Sequence, residues 1–243
     1  MRLPLKQFKK RLPFGFTFGA LSISIASVST LAHQPVMDMA PRWNSGYGVQ
    51  TRIEHTEAKT TTWLEGVYTF KPSVRVTLKL PYIDSDNTDR YASGTGNAIL
   101  AVPLKRYHNN GAFTSNWGIT PSVRMPTGSS NSEDNDWDTG LSLSYSSESR
   151  SVYQLYDFYT LDDKIGIDIN YGFVFADGKG SSWFTLWDIS AQESNDGERI
   201  LTGPVLVYFK SNTIVRAEYK FAALDNDDVW KGDSISIGIG FVY

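Results

Sequence analysis

The chain has 243 residues, a net charge of −3 at neutral pH, 14% aromatic residues and no cysteine. The lack of cysteine excludes a disulfide framework and a thiolate metal site. The acidic balance argues against nucleic acid as a partner.

The amino-terminal residues have the order of a secretory signal peptide. Five basic residues and no acid lie within residues 1–11. A mostly apolar stretch follows over residues 12–28, and small residues then lead to Ala32, which predicts cleavage before His33. We therefore predict a signal peptide over residues 1–32, whose removal takes the net charge from −3 to −8. The alternative interpretation is an uncleaved membrane anchor, for which the stretch is short and interrupted by glycine and serine.

Residues 33–41 are predicted to form a periplasmic amino-terminal arm before a barrel domain over residues 42–243. After cleavage the free amine and the imidazole of His33 would lie close to the thioethers of Met37 and Met39. Such ligands suit copper, so these three residues are a candidate metal site. The alternative is an apolar plug in which the two methionines pack.

Apolar residues alternate with small or polar ones throughout residues 42–243, and this period of two predicts an all-β fold. The alternation is strictest from Ile235 to Tyr243. In the second, fourth, seventh, ninth and tenth predicted strands both faces hold large residues, so no facing is assigned there. About twelve strands are predicted, near residues 47–53, 63–70, 74–82, 97–107, 117–125, 141–145, 152–159, 165–175, 182–191, 200–210, 215–221 and 235–243.

The last strand has an apolar face that no later segment can cover. Lipid covers such a face in a membrane barrel, where the last strand closes against the first. We predict a single closed antiparallel up-and-down transmembrane β-barrel in the outer membrane of a Gram-negative bacterium. The terminal aromatic residue Tyr243 fits the signal read by the barrel-assembly machinery.

The predicted connections fall into two alternating sets that differ in length, although two connections of the longer set, near residues 56–60 and 161–164, are short. Those near residues 71–73, 108–112, 147–150, 176–180 and 211–212 are short, whereas those near 84–94, 127–138, 193–199 and 224–232 are longer and acidic. This asymmetry is typical of short periplasmic turns and longer external loops, and an even strand number returns the C-terminus to the periplasm. The loop carboxylates are candidate sites for Ca²⁺ or Mg²⁺ that would bridge to lipopolysaccharide phosphates, the alternative being a solvated acidic surface.

Charged residues fall on the inward face of the well-phased strands. The first, eleventh and twelfth strands are neighbours in a closed barrel, so their charges should meet around the small residues of the twelfth. These residues form either a structural ion-pair network or a constriction that selects solutes by size and charge. The candidate lumen residues are Arg52, Glu54, Arg75, Lys79, Arg124, Asp168, Arg216, Glu218 and Lys220.

Catalysis is not indicated. The three histidines, His33, His55 and His108, lie at the new N-terminus, the external rim and a periplasmic turn, away from one another. Neither a G-x-S-x-G nor an H-E-x-x-H motif occurs in the sequence. We therefore expect no enzyme and no resident cofactor.

Three segments resemble the "MetA-pathway of phenol degradation" outer-membrane family. They are the run from Val74 to Tyr82, the Gly94-Thr-Gly96 turn that opens a strand, and the run from Ser122 to Gly128. The chain differs in having Asn97 where an acidic residue is expected after Gly-x-Gly. The resemblance implies passage of small, often hydrophobic or aromatic compounds across the outer membrane.

Two functions are therefore predicted from different classes. The first is a passive transporter for a small-molecule solute, surrounded by outer-membrane lipid and lipopolysaccharide. The alternative is a non-conducting barrel that handles copper or supports the envelope.

Overall fold

The computed structural model describes residues 46–85, 93–109, 113–129, 136–149, 151–176, 181–195, 197–226 and 232–243. The predicted signal peptide, the arm with His33, Met37 and Met39, and most of the loop carboxylates lie outside these residues. Within the described ranges, no helix is long and apolar enough to cross a membrane.

The structure has twelve barrel strands, at the places where the alternation predicts them. The fourth consists of three short segments and the other eleven are continuous. The strands are β1 (Gly46–Thr56), β2 (Lys59–Lys71), β3 (Val74–Ser85), β4 (Gly94–Thr95, Ala98–Ala101 and Leu104–Asn109), β5 (Phe113–Met125), β6 (Asp138–Ser149), β7 (Val152–Leu161), β8 (Lys164–Ala176), β9 (Ser181–Ser194), β10 (Gly197–Lys210), β11 (Thr213–Asp225) and β12 (Ser234–Val242).

Each strand pairs antiparallel with the next, and β12 pairs with β1, so the sheet is a closed barrel. The closing register runs from Gly48 opposite Val242 to Thr56 opposite Ser234. Closure leaves no sheet edge with unpaired backbone groups, which is the condition for crossing a lipid bilayer with strands. The predicted fold class is confirmed.

The fourth strand differs from its prediction, which was continuous. Pro103 has no N–H to donate to the ladder, and its carbonyl instead accepts the N–H of Arg75 at 3.1 Å. The neighbouring Val102 N–H donates to the carbonyl of Pro121 at 3.0 Å. The strand therefore keeps contact with both neighbours while its regular pairing is interrupted.

The facing predicted for β12 is confirmed. Ser234, Ser236, Gly238, Gly240 and Val242 are buried on the inner side. The outer side is apolar and exposed, and Ile237 is 58% exposed. The same alternation holds in β9, where Phe184 and Leu186 point inward and Trp183 and Trp187 outward, although sequence alone could not phase it.

The barrel interior changes character along its axis. Ten buried apolar residues form a cluster toward the end with the short turns, and a smaller apolar group of Trp63, Ile99 and Leu161 lies toward the other end. Charged side chains occupy the middle. The ten are Val67, Tyr153, Leu155, Val174, Phe184, Leu186, Val205, Val207, Ile214 and Val242.

Candidate functional site: the charged lumen

Two arginine–glutamate pairs lie on either side of β12. In β1 the Arg52 Nη1 donates to Glu54 Oε2 at 3.0 Å. In β11 the Arg216 Nε donates to Glu218 Oε2 at 3.0 Å, and its Nη2 donates to the same oxygen. Residues two apart in a strand share a face, so each pair forms within its own strand. Both pairs lie beside the small residues of β12, and their role in selectivity stays a prediction.

The inner face of β12 does not leave open space. A Cβ on Gly238 would lie 3.4 Å from the Cβ of Arg52, and one on Gly240 would lie 3.3 Å from the Cβ of Gln50. The missing side chains of β12 are thus replaced by side chains from β1 that lie across the glycines. The small residues of β12 thus accommodate the arginine, whose side chain covers the glycine.

Arg52 also reaches the inner face of β2. Its Nε lies 3.8 Å from Glu65 Oε1, and its guanidinium lies 5.6 Å from the centre of the Trp63 ring. Glu65 is 1% exposed. Sequence reasoning missed Glu65 and Trp63 because large residues on both faces of β2 hide its phase. One signal was available: Trp63, Glu65 and Val67 are each two residues apart and so lie on one face of β2, whereas Leu64 lies on the other.

Three aspartates line the opposite side of the lumen on consecutive strands. Asp157 in β7 and Asp168 in β8 are directly paired in register, and Asp188 follows in β9. All three are fully buried. Serines stabilise two of them: Ser142 Oγ donates to Asp157 Oδ1 at 2.6 Å, and Ser190 Oγ donates to Asp168 Oδ1. Of the three, only Asp168 was predicted from sequence.

Lys220 connects these aspartates to the Arg216–Glu218 pair. Lys220 Nζ of β11 lies 2.7 Å from Asp188 Oδ1 and 4.0 Å from Glu218 Oε1. Lys220 is buried, so the contact is shielded from bulk water. The pair forms a charge-assisted contact between β9 and β11 on the inner side of β10.

The charges are distributed unequally around the barrel. In a closed ring of twelve strands, β7, β8 and β9 lie opposite β1, β2 and β3. The acidic wall therefore faces the buried cations Arg52 on β1 and Lys79 on β3, together with the carboxylates Glu54 and Glu65 on β1 and β2. The three aspartates of the acidic wall thus carry one sign of charge, whereas the facing side carries both signs, and solvent screens such buried charges only weakly.

Arg75 and Arg124 lie outside the charged middle of the lumen. Arg75 is near the short turns, where its Nη2 donates to the Tyr107 hydroxyl at 3.2 Å. Arg124 is near the opposite rim, where its Nε donates to Asp138 Oδ2 at 2.6 Å and its Nη2 donates to Asp162 Oδ2 at 2.9 Å. The Arg124 side chain thus joins β5, β6 and the turn between β7 and β8.

Asp162 occupies that turn with a positive φ of 64°. Burial and the negative charge of Asp138 raise the pKa of Asp162 from its ordinary 3.8 to about 7, although Arg124 acts in the opposite direction. Asp138 and Asp162 therefore share one guanidinium and compete for it, which makes this rim contact sensitive to pH.

The remaining candidates are dispersed. His55 is exposed and its Nδ1 contacts Thr60 Oγ1 at 2.9 Å, while His108 is exposed at the short-turn end. Among the residues that the structure describes, no three His, Asp or Glu side chains are grouped so as to hold a metal ion. The copper prediction and most of the carboxylates of the calcium prediction concern residues outside that part of the chain, and both stay predictions.

Solved structures with a similar fold include three outer-membrane proteins. An outer-membrane channel from Pseudomonas putida F1 aligns with a TM-score of 0.58 at 15% identity, covering 82% of this chain and 96% of that one. The KdgM porin in complex with disordered oligogalacturonate aligns with a TM-score of 0.52 at 11% identity, covering 81% and 99%. LpxR from Salmonella typhimurium aligns with a TM-score of 0.51 at 6% identity, covering 81% and 100%.

The chain has the fold of an outer-membrane β-barrel. At these identities the likeness shows the fold alone. No family model and no curated protein matches the sequence, so membership of the MetA-pathway family stays a prediction.

Proposed function

We propose that this barrel is a passive outer-membrane channel for small polar solutes. Its constriction is the charged belt, by which we mean the charged side chains in the middle of the lumen. The observation that supports this proposal is the acidic wall of Asp157, Asp168 and Asp188 facing buried cations across the lumen. A similar solved structure is described as a porin and another as a channel.

The physical argument concerns the free energy of buried charge. Removing ions from water costs several kcal/mol each, and apolar side chains of similar volume often fill an interior at least as well. A barrel that needed only to be filled would not require three aspartates on adjacent strands. Ionisable groups inside a membrane protein are therefore attributed to function by default, here to solute selection.

The charge distribution favours polar solutes over hydrophobic or aromatic ones. A hydrophobic solute would separate ion pairs such as Arg216–Glu218 and give them no hydrogen bonds in return. A solute that carries both donors and acceptors, or both signs of charge, can bind the carboxylates and the cations of the lumen at the same time.

Conductance in planar bilayers tests this proposal. In a salt gradient, Arg52→Ala and Arg216→Ala should shift the reversal potential toward cation selectivity, whereas Asp157→Asn with Asp168→Asn should shift it toward anions. His55→Ala at the exposed rim is the matched control and should leave the reversal potential unchanged. A folded wild-type barrel without conductance, or reversal potentials unmoved by all charge variants, would refute the channel.

A second candidate is a non-conducting envelope barrel. It is favoured by the apolar cluster at the short-turn end, in which Leu155, Phe184 and Val207 have no exposed surface. The absence of conductance in every variant above, together with an envelope-permeability defect in a deletion strain, would favour this function.

The copper proposal is tested separately. Calorimetric titration of the processed full-length protein with Cu²⁺ and Cu⁺ should show binding that His33→Ala abolishes. An identical titration for wild type and variant would exclude a role of His33 in copper binding.

A further inference from the structure

The outer wall of the barrel has a large concave groove across β4 to β8. Its volume is about 730 Å³, and residues of five consecutive strands line it. Most of the lining side chains are apolar and point to the lipid, among them Leu104, Trp117, Ile119, Leu143, Tyr156 and Phe158. A lipid-facing wall is ordinarily convex, so a groove of this size is a distinct feature.

The inner side of the same wall explains the concavity. Gly118 of β5 and Ser144 of β6 are register partners that point into the barrel. A Cβ on Gly118 would lie 2.6 Å from Ser144 Oγ and 3.4 Å from the Cγ of Lys105. Small inward residues allow this wall to lie closer to the barrel axis than walls lined by arginine or phenylalanine, and the outer surface follows inward.

One end of the groove carries a cation. Arg106 is exposed on the outer face of β4 and is in register with Trp117, whose ring lies 4.6 Å from that of Tyr145. Aromatic side chains at this level are typical of the membrane–water interface. An exposed guanidinium at that depth is stabilised by a lipid phosphate, which it can bind with two parallel hydrogen bonds.

The surface beyond the other end of the groove is unsuitable for binding an anion. A second groove of about 380 Å³ continues from the first and shares Phe158 and Ile167 with it. Its far end is lined by Glu193 and Glu198, which face each other in register. Arg199 also lines this groove, but it is buried and donates to the Gly232 carbonyl, so the exposed charges there are the two carboxylates. These repel a phosphate, and the charge along the wall therefore specifies a single orientation for an anionic lipid.

We propose that this groove is a binding site for one glycerophospholipid, with an acyl chain along the apolar groove and the headgroup phosphate at Arg106. The site is on the outside of the barrel and is separate from the proposed solute path. Bound lipid covers the apolar groove, whose aromatic and aliphatic side chains would otherwise be poorly packed by mobile annular lipid.

The test uses the full processed barrel, stripped of lipid in a neutral detergent and titrated with phosphatidylglycerol that carries brominated acyl chains. Quenching of tryptophan fluorescence and native mass spectrometry together report binding. Arg106→Gln should weaken the affinity about tenfold, since a charge-assisted contact is lost, while Arg106→Lys should retain most of it. Ile119→Trp should abolish the one-to-one complex by filling the groove.

Lys210→Gln is the matched control, because Lys210 is an exposed cation at the same end of the barrel on β10, away from the groove. It should bind like wild type. Brominated diacylglycerol, which lacks the phosphate, should bind wild type and Arg106→Gln equally weakly. Equal phosphatidylglycerol binding by wild type and Arg106→Gln, or an equal loss in Lys210→Gln, would overturn the proposal. The heat-modifiable mobility of each variant on gels verifies folding.

Discussion

Arg52 and Arg216 lie on either side of Gly238, each in register with it, and each forms an ion pair with the glutamate two residues later in its own strand. Two like charges can occupy adjacent strands around one glycine because each is neutralised on its own strand. The Arg-x-Glu pattern is repeated on β1 and β11, so that each arginine charge beside Gly238 is neutralised by a glutamate of its own strand.

The Arg216–Glu218 pair is predicted to matter to stability only as a pair. Arg216→Met leaves the Glu218 carboxylate buried beside Lys220 alone, and we expect a loss of about 3–5 kcal/mol in the free energy of unfolding. The double variant Arg216→Met with Glu218→Gln should lose less than half of that. Urea unfolding in micelles measures both, and Lys71→Met at an exposed strand end should change little. Additive losses in the double variant would show that the pair is not coupled.

Barrel closure depends on the glycine opposite the C-terminal residue. Gly46 has a φ of 122°, and a Cβ there would lie 2.1 Å from the carbonyl oxygen of Tyr243. Gly46→Ala should cost about 1–3 kcal/mol through backbone strain and should disturb the pair of hydrogen bonds between Tyr47 and Tyr243. Gly66→Ala is the control, because nothing lies within 4 Å of its added Cβ. Equal folded fractions on heat-modifiability gels for the two variants would contradict this account.

Asn97 connects two segments that the family resemblance singled out. Its Oδ1 accepts the N–H of Gly128 at 2.9 Å, and the neighbouring Ala98 N–H donates to Thr127 Oγ1 at 2.8 Å. Asn97→Ala should cost about 1 kcal/mol and speed hydrogen exchange at Gly128, because a partly buried N–H loses its acceptor. Asn97→Asp keeps an acceptor oxygen and should exchange more slowly at Gly128 than the alanine variant. Indistinguishable exchange in the two variants would exclude this role.

The rim should respond to pH through Asp162. Its pKa is about 7 in the folded barrel and 3.8 ordinarily, so between about pH 4 and pH 7 the folded state binds more protons than the unfolded state. Stability from this group is therefore lost as the pH rises through that window, and it is constant above the window. Asp162→Asn should flatten the profile relative to wild type in urea unfolding at pH 4, 5.5 and 7. Glu193→Gln, which removes an exposed carboxylate at the same end of the barrel, is the control. A wild-type slope in Asp162→Asn would refute the assignment.

Sequence periodicity was sufficient for strands whose two faces differ in polarity. In β12 isoleucine alternates with serine and glycine, so a shift of one residue would place polar groups against lipid, and only one phase is stable. The same argument placed Arg52, Glu54, Arg216 and Glu218 in the lumen, and their burial in the structure agrees with that placement. Their proposed role in selectivity is not tested by their position.

The phase of the mixed strands required tertiary structure. β2 and β7 carry large residues on both faces, because in this barrel the interior is itself apolar toward the short turns. Glu65 and Asp157 therefore escaped prediction, although both belong to the charged belt. The sharing of Arg124 by Asp138 and Asp162 could not be predicted from the sequence either, since the two aspartates lie 14 and 38 residues from the arginine along the chain.

The sequence by itself determined the strand count, the antiparallel closure and the facing of the strictly alternating strands, because a period of two against lipid allows a single arrangement. The tertiary structure alone decided which charges face one another, that Gln50 and Arg52 fill the space over the β12 glycines, and that the β4–β8 wall is concave. These features depend on register between strands and on the volumes of side chains from opposite walls, which are properties of the closed barrel and of no single strand.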